Sequence, residues 1–136
     1  MSEFSKLRLT VMPNGFATFI VDNNAEIKTE NYTVIVNDDS GKTLVSTLDG
    51  IVFTLPSIAI GETITFVNMA DDGQAELSIS PAALDGITYA GSSTDDLDLI
   101  NTKATAKKGD YVTLASLDGV VAWQVVDARG IWVKET

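Results

Sequence analysis

The sequence predicts an all-β protein: a compact β-sandwich or β-barrel of about 8–10 short antiparallel strands, preceded by an N-terminal arm that forms a hairpin. Three observations predict it. Apolar and polar residues alternate at period two in segment after segment, as in strands with one buried face. Turn residues interrupt these segments about every ten residues. No window of helical length carries an i, i+3, i+4, i+7 apolar pattern free of Gly, Pro or β-branched breaks.

The elements follow in order. "KLRLTV" sets Leu7, Leu9 and Val11 against Lys6, Arg8 and Thr10, and "PNG" at 13–15 turns the chain into "FATFIV", a hairpin. "DNNAEIKTEN" (22–31) is polar and reads as a connector, dividing the chain into an arm at 1–30 and a body at 31–136. In the body, "YTVIV" (32–36) ends at the turn residues "NDDSG", and "GIVFTLP" (50–56) closes on Pro56, which cannot continue a central ladder. "ETITFVN" (62–68) and "AELSISP" (75–81) alternate cleanly around the turn "DDG". The stretch 90–110 is mostly polar, a long surface loop with a short strand at Leu97–Ile100. "YVTLAS" (111–116) and "VAWQVVD" (121–127) form a hairpin across Leu117–Gly119, and "IWVKE" (131–135) ends the series. Thr recurs opposite the apolar positions, which suits sheets with one wet face.

The tetrapeptide Leu-Asp-Gly-Ile occurs at 48–51 and 84–87, with a near copy, Leu-Asp-Gly-Val, at 117–120. The flanking text diverges at once, so these are not structural repeats. Asp-Gly supplies φ > 0 in a tight turn, and Asp49–Gly50, Asp85–Gly86 and Asp118–Gly119 read as turn positions. A calcium or sugar site built from Asp49, Asp85 and Asp118 is the sharper alternative, but calcium cages need several closely spaced ligands in one loop.

The 136 residues, 45% of them hydrophobic and 7% aromatic, suit one globular domain with one core. No apolar run approaches membrane-span length, and the first residues lack a signal peptide's apolar centre. The expectation is a protein made in the cytoplasm of a host cell and used without signal-dependent export or a membrane. The absence of cysteine excludes disulfides, thiolate nucleophiles and zinc–thiolate sites, and the absence of histidine removes the commonest general base and transition-metal ligand. Residues 31–102 hold eleven Asp/Glu against Lys42, a net of −10 that argues against nucleic acid as a partner. The uneven charge reads as solubility at high local concentration, or as a face steered onto a basic partner.

No catalytic constellation emerges, and no enzyme, cofactor, metal or small-molecule substrate is expected. The acid pairs at 38–39, 71–72 and 95–96 lie in turn-like text, where carboxylates are solvated rather than paired for catalysis. The serines lack a histidine base and a Gly-x-Ser-x-Gly elbow. "SGKT" (40–43) lacks the earlier glycine of a phosphate loop, since position 36 is Val36, and "TLVSTL" after it reads as strand. Lys103, Lys107 and Lys108 make too small a basic cluster for nucleic acid. Phe66, Trp123 and Trp132 read as core or subunit-contact aromatics; the two tryptophans could alternatively form a ligand-stacking platform.

The order "GIVFTLPSIAIGETITFVN", "LSISPAALDGITYAG", "KKGDYVTLAS", "VAWQVVDARGIWVKE" resembles a β-domain of tailed-phage virion proteins over roughly residues 32–136. The matching positions are Leu55–Pro56, Gly61, Phe66–Val67–Asn68, Pro81, Asp85, Ile87, Gly109, Leu114, Trp123, Gly130 and Trp132. The resemblance implies a β-rich, cysteine-poor and often trimeric structural protein of a capsid decoration (cement) protein, head fibre or tail-fibre module. In that family's pattern the last two tryptophans lie on a closing hairpin. All matched positions are corners or core, so the resemblance implies fold more than site, and the arm has no counterpart in it.

The expectation is a homotrimeric decoration protein on the exterior of a phage head, with the major capsid protein as partner. The alternative is a receptor- or glycan-binding module of a tail fibre. The arm, with Phe4, Leu7, Leu9 and Val11 on an unclaimed edge, is the expected contact segment, unless it is an ordinary hairpin packed on its own body.

Overall fold

A computed structural model describes residues 7–11, 17–21, 24–35, 38–57, 61–91, 96–117 and 122–136. Strands dominate it, and the one helical piece among the described residues is a 3-10 turn at Lys103–Thr105. β1 (Leu7–Val11) and β2 (Ala17–Val21) pair antiparallel as a two-stranded ribbon of their own. The expected arm hairpin is therefore present in the backbone.

The body begins earlier than the expected boundary at residue 31. β3 (Ala25–Lys28), inside the supposed connector, is a strand of the larger body sheet. It is followed by β4 (Tyr32–Thr33), β5 (Thr43–Ser46), β6 (Ile51–Thr54), β7 (Thr63–Asn68) and β8 (Leu77–Ser80). These six strands alternate between two sheets. β3, β5 and β7 stack parallel in one, and β4, β6 and β8 stack parallel in the other. The chain thus winds as a flattened coil, one strand on each side per turn.

The remaining strands complete both sheets. β9 (Gly86–Thr88), β11 (Asp110–Ala115) and β12 (Ala122–Arg129) extend the first to six strands in the order β3-β5-β7-β11-β12-β9. β10 (Leu99–Asn101) and β13 (Val133–Lys134) extend the second to five, in the order β13-β10-β8-β6-β4. β11 runs antiparallel to β7 and to β12, as the expected hairpin requires, whereas β9 runs parallel to β12.

The all-β sandwich of short strands is as the sequence predicts; their uniform antiparallel pairing is not. Five of the ten strand pairings among the described residues are parallel. A short alternating strand followed by a turn reads the same whether the next strand returns beside it or crosses to the facing sheet. The final hairpin of the family pattern is also absent: β12 belongs to the six-stranded sheet, and β13 pairs with β10 in the other.

Between the sheets lies one core. Leu44, Phe66, Val112, Leu114 and Trp123 from the larger sheet meet Phe53, Leu77, Ile79 and Leu99 from the smaller, and all are fully buried. Phe53 and Phe66 pack with ring centroids 5.1 Å apart, an offset tilted pair. Each large apolar side chain so buried contributes roughly 1.5–3 kcal/mol. Alternate residues face outward, where Thr65 and Thr113 lie opposite each other with their hydroxyl oxygens 2.8 Å apart.

Candidate functional site

Asn68 of β7, Asn101 of β10 and Asp110 of β11 are buried together and tie the two sheets to each other. Asn68 Nδ2 donates to Asn101 Oδ1 at 2.8 Å and to the Ala75 carbonyl at 3.0 Å. Asn101 Nδ2 donates to Asp110 Oδ2 at 3.1 Å and to the Ile131 carbonyl at 3.1 Å. The Lys107 amide donates to the same Asp110 oxygen at 2.9 Å. Such a network fixes the register between sheets. Gly130, at φ +97°, closes over it so tightly that a Cβ there would overlap the Asp110 carboxylate.

At one set of turns the basic cluster is neutralised residue by residue. Lys103 pairs with Asp49 at 2.9 Å, Lys107 with Asp72 at 3.8 Å and Lys108 with Asp71 at 3.4 Å. Asp49 also accepts the Glu76 amide at 2.9 Å, and these main-chain and lysine hydrogen bonds hold its carboxyl below the usual range. A second carboxylate group joins β10 to the C-terminal strand: the Asp98 amide donates to Glu135 Oε2 at 3.0 Å. Burial, with Glu135 and Asp96 nearby, pushes the Asp98 carboxyl up; burial likewise lowers the Lys134 ammonium. No group of three or more acidic residues able to hold a metal ion occurs among the described residues.

The β3–β4 end of the winding is built differently. By register, Glu26 lies opposite Leu44 and Lys28 opposite Ser46, so the end turn sets charges in the rows that are buried further along. Glu26 sits 3.2 Å from Lys42 and 3.3 Å from Lys28, and Lys28 lies 3.8 Å above the Tyr32 ring. Tyr32 donates its hydroxyl to Asp39 Oδ2 at 2.7 Å, and the Ile35 amide donates to the same oxygen at 2.7 Å. Burial raises the Tyr32 phenol, reinforced by the Asp39 carboxylate. Partial burial opposes ionisation of Glu26, but its two lysines outweigh that and hold it below the usual carboxylate range. Outside the cap, Ile27 is 64% exposed and Ile35 49%.

The arm ribbon pairs Leu7 with Val21, Leu9 with Phe19 and Val11 with Ala17, while Arg8–Ile20 and Thr10–Thr18 take the alternate positions. All six residues of one parity are apolar, and among the described residues the two strands pair only with each other. An isolated two-stranded ribbon is marginally stable in water and needs a third partner.

No family model matches this chain, and no curated protein is significantly similar to it.

The expected site residues separate accordingly. Leu7, Leu9 and Val11 share β1, while Phe4 lies outside the described residues. Phe66, Trp123 and Trp132 all belong to the core, and the Trp132 indole donates to the Arg129 carbonyl at 3.0 Å. With both rings buried, the alternative of an exposed tryptophan platform is excluded. Asp49–Gly50 is a turn, with Gly50 at φ +83°. The second copy is not: the turn lies at Ala83–Leu84, with Leu84 at φ +72°, and Gly86 opens β9. Asp118 and Gly119 lie outside the described residues. "SGKT" contains the Gly41 turn and the start of β5, with no helix after it. Sequence reasoning missed Asp39, which is buried beneath Tyr32 rather than solvated, and the charged cap around it. The available signal was Tyr32 and Lys42 flanking the acid pair in a turn.

Proposed function

We propose that this chain is a structural virion protein, a phage capsid decoration protein that binds the assembled head through its N-terminal ribbon and reinforces it. The observation that carries the reading is the ribbon itself: one parity entirely apolar, three cross-strand pairs long, and joined to no body sheet among the described residues. A partner that supplies an edge or a surface completes such an element by strand addition and apolar burial. The rest of the chain suits a rigid carrier. Its core is continuous across both sheets, and its lysine cluster is already paired to acids. The order of motifs resembling tailed-phage β-domains supports the same role, with the major capsid protein as partner and a trimer as the working assembly. Many weak contacts across a lattice add up to strong reinforcement without any chemical step.

Co-sedimentation with purified, expanded phage heads tests this. Full-length protein should pellet with heads, and deletion of residues 1–11 should abolish pelleting while the β-sheet circular-dichroism signal remains. Equal pelleting of both forms removes the ribbon from the role. Reproducible binding to a glycan array, with no head binding, would instead favour a tail-fibre receptor-binding module.

A further inference from the structure

We propose that the free edge of β3 accepts the N-terminal ribbon of a second copy of this chain, so that copies join arm to edge. The inference rests on the ribbon being a contact segment, and it names a second acceptor for it beside the head.

The geometry of β3 supplies the first argument. The Thr43 amide donates to the Asn24 carbonyl at 2.7 Å, which fixes the phase of the parallel β3–β5 ladder. Main-chain groups alternate sides along such a ladder. Glu26 and Lys28 therefore direct theirs to β5, and Ala25 and Ile27 direct theirs to the open edge, where β3 has no strand neighbour among the described residues. An edge that carries free donors and acceptors beside an exposed Ile27 is a template for another strand.

The second argument is parity. On β3 one parity is charged, Glu26 and Lys28, and the other is Ala25 and Ile27, which continues a row through Val45 and Val67. The ribbon has the same division, with Arg8 and Thr10 on one parity of β1 and Leu7, Leu9 and Val11 on the other. A strand added in matching register aligns Arg8 and Thr10 with the charged cap and extends the apolar row beyond Ile27. A register shifted by one residue would set leucines against Glu26 and Lys28, so the pairing has a preferred phase.

Charge identifies the occupant as another copy. Residues 1–21 carry Lys6 and Arg8 against Glu3, a net of +1, whereas residues 22–136 carry eighteen acids against seven bases, a net of −11. Glu30 and Asp38, both exposed, follow β3 closely in the chain, and Asp38 acts electrostatically on Tyr32 within the cap. A net-positive arm laid on the acidic body of a neighbour is favourable where two bodies face to face repel. Within one chain the link from Val21 to Ala25 is short enough for a hairpin, yet among the described strands β2 pairs only with β1. Arm-to-edge contact is head-to-tail, and a rotation of one third of a turn between successive copies closes it into a trimeric ring.

Light scattering on purified protein, with no capsid present, tests the proposal through two full-length variants. Ile27→Pro removes an edge donor without touching the β3–β5 ladder. Leu7→Asp combined with Leu9→Asp disables the ribbon. Wild-type protein should be oligomeric, and each variant alone should fall to the mass of a single chain while retaining its β-sheet signal. An equimolar mixture of the two should form a heterodimer, because one supplies the arm and the other the edge. If Ile27→Pro loses the β-sheet signal, Ile27→Lys replaces it and should also weaken assembly. A monomeric wild type, or an oligomer unaffected at Ile27, overturns the proposal. Neither result bears on head binding, which is measured separately by co-sedimentation.

Discussion

Gly130→Ala should destabilise the protein far more than Gly50→Ala, although both glycines have positive φ, +97° and +83°. In either case a Cβ in a left-handed backbone conformation costs about 1–2 kcal/mol. At Gly50 nothing lies within 4 Å of the added atom, so that is the whole effect. At Gly130 the atom overlaps the buried Asp110 carboxylate. To make room, Asp110 must release the Asn101 side-chain amide, the Lys107 amide or both. Each buried donor left unpaired costs about 1–3 kcal/mol, bringing the expected loss for Gly130→Ala to roughly 2–8 kcal/mol for one or both donors lost. That is a large part of the ~5–15 kcal/mol that holds a domain folded. Urea unfolding followed by tryptophan fluorescence measures both variants, since Trp123 and Trp132 are core residues that report loss of packing. Losses within ~0.5 kcal/mol of each other would refute the reasoning, because the sheet-bridging network would then tolerate displacement of its carboxylate.

Other outcomes follow from the same structure. Phe66→Ala, which removes the partner of Phe53 from the centre of the core, should lower stability by about 3–5 kcal/mol in the same urea assay. Lys108→Ala breaks an exposed pair with Asp71 and should change stability by less than ~0.5 kcal/mol; a larger loss would mean that the lysine end is more tightly built than its exposure implies. Asp98 has its folded-state pKa raised, so the folded form binds its proton more readily than the unfolded chain does. The charge there therefore opposes folding once pH climbs above the ordinary Asp value of 3.8, and the penalty is complete above the raised value. Asp98→Asn should accordingly raise the melting temperature at neutral pH and give no gain below the ordinary Asp range; equal gains at both pH values would contradict this assignment.

Strand existence was legible because alternation is local: "TITFVN" and "LSIS" announce themselves whatever they pair with. Pairing was not, because β5 and β7 are neighbours only after the chain has crossed to the facing sheet and back through β6. β3 was hidden for a physical reason. At the end of the winding its core-parity positions are Glu26 and Lys28, so a strand that caps the core carries the composition of a linker. The Asp-Gly corners show the limit of dipeptide signals, since Gly50 takes a positive φ while Gly86 lies in a strand and Leu84 bends the chain instead. Of the candidate site, Leu7, Leu9 and Val11 were readable from period two. The β3 edge proposed to accept them was not, since an open edge is a property of topology.

The location of the protein in purified phage particles tests the proposed role most directly. Antibody labelling or density mapping should place many copies at regular positions on the outer surface of the head. Copies confined to the tail, or none in the particle, would contradict a decoration role.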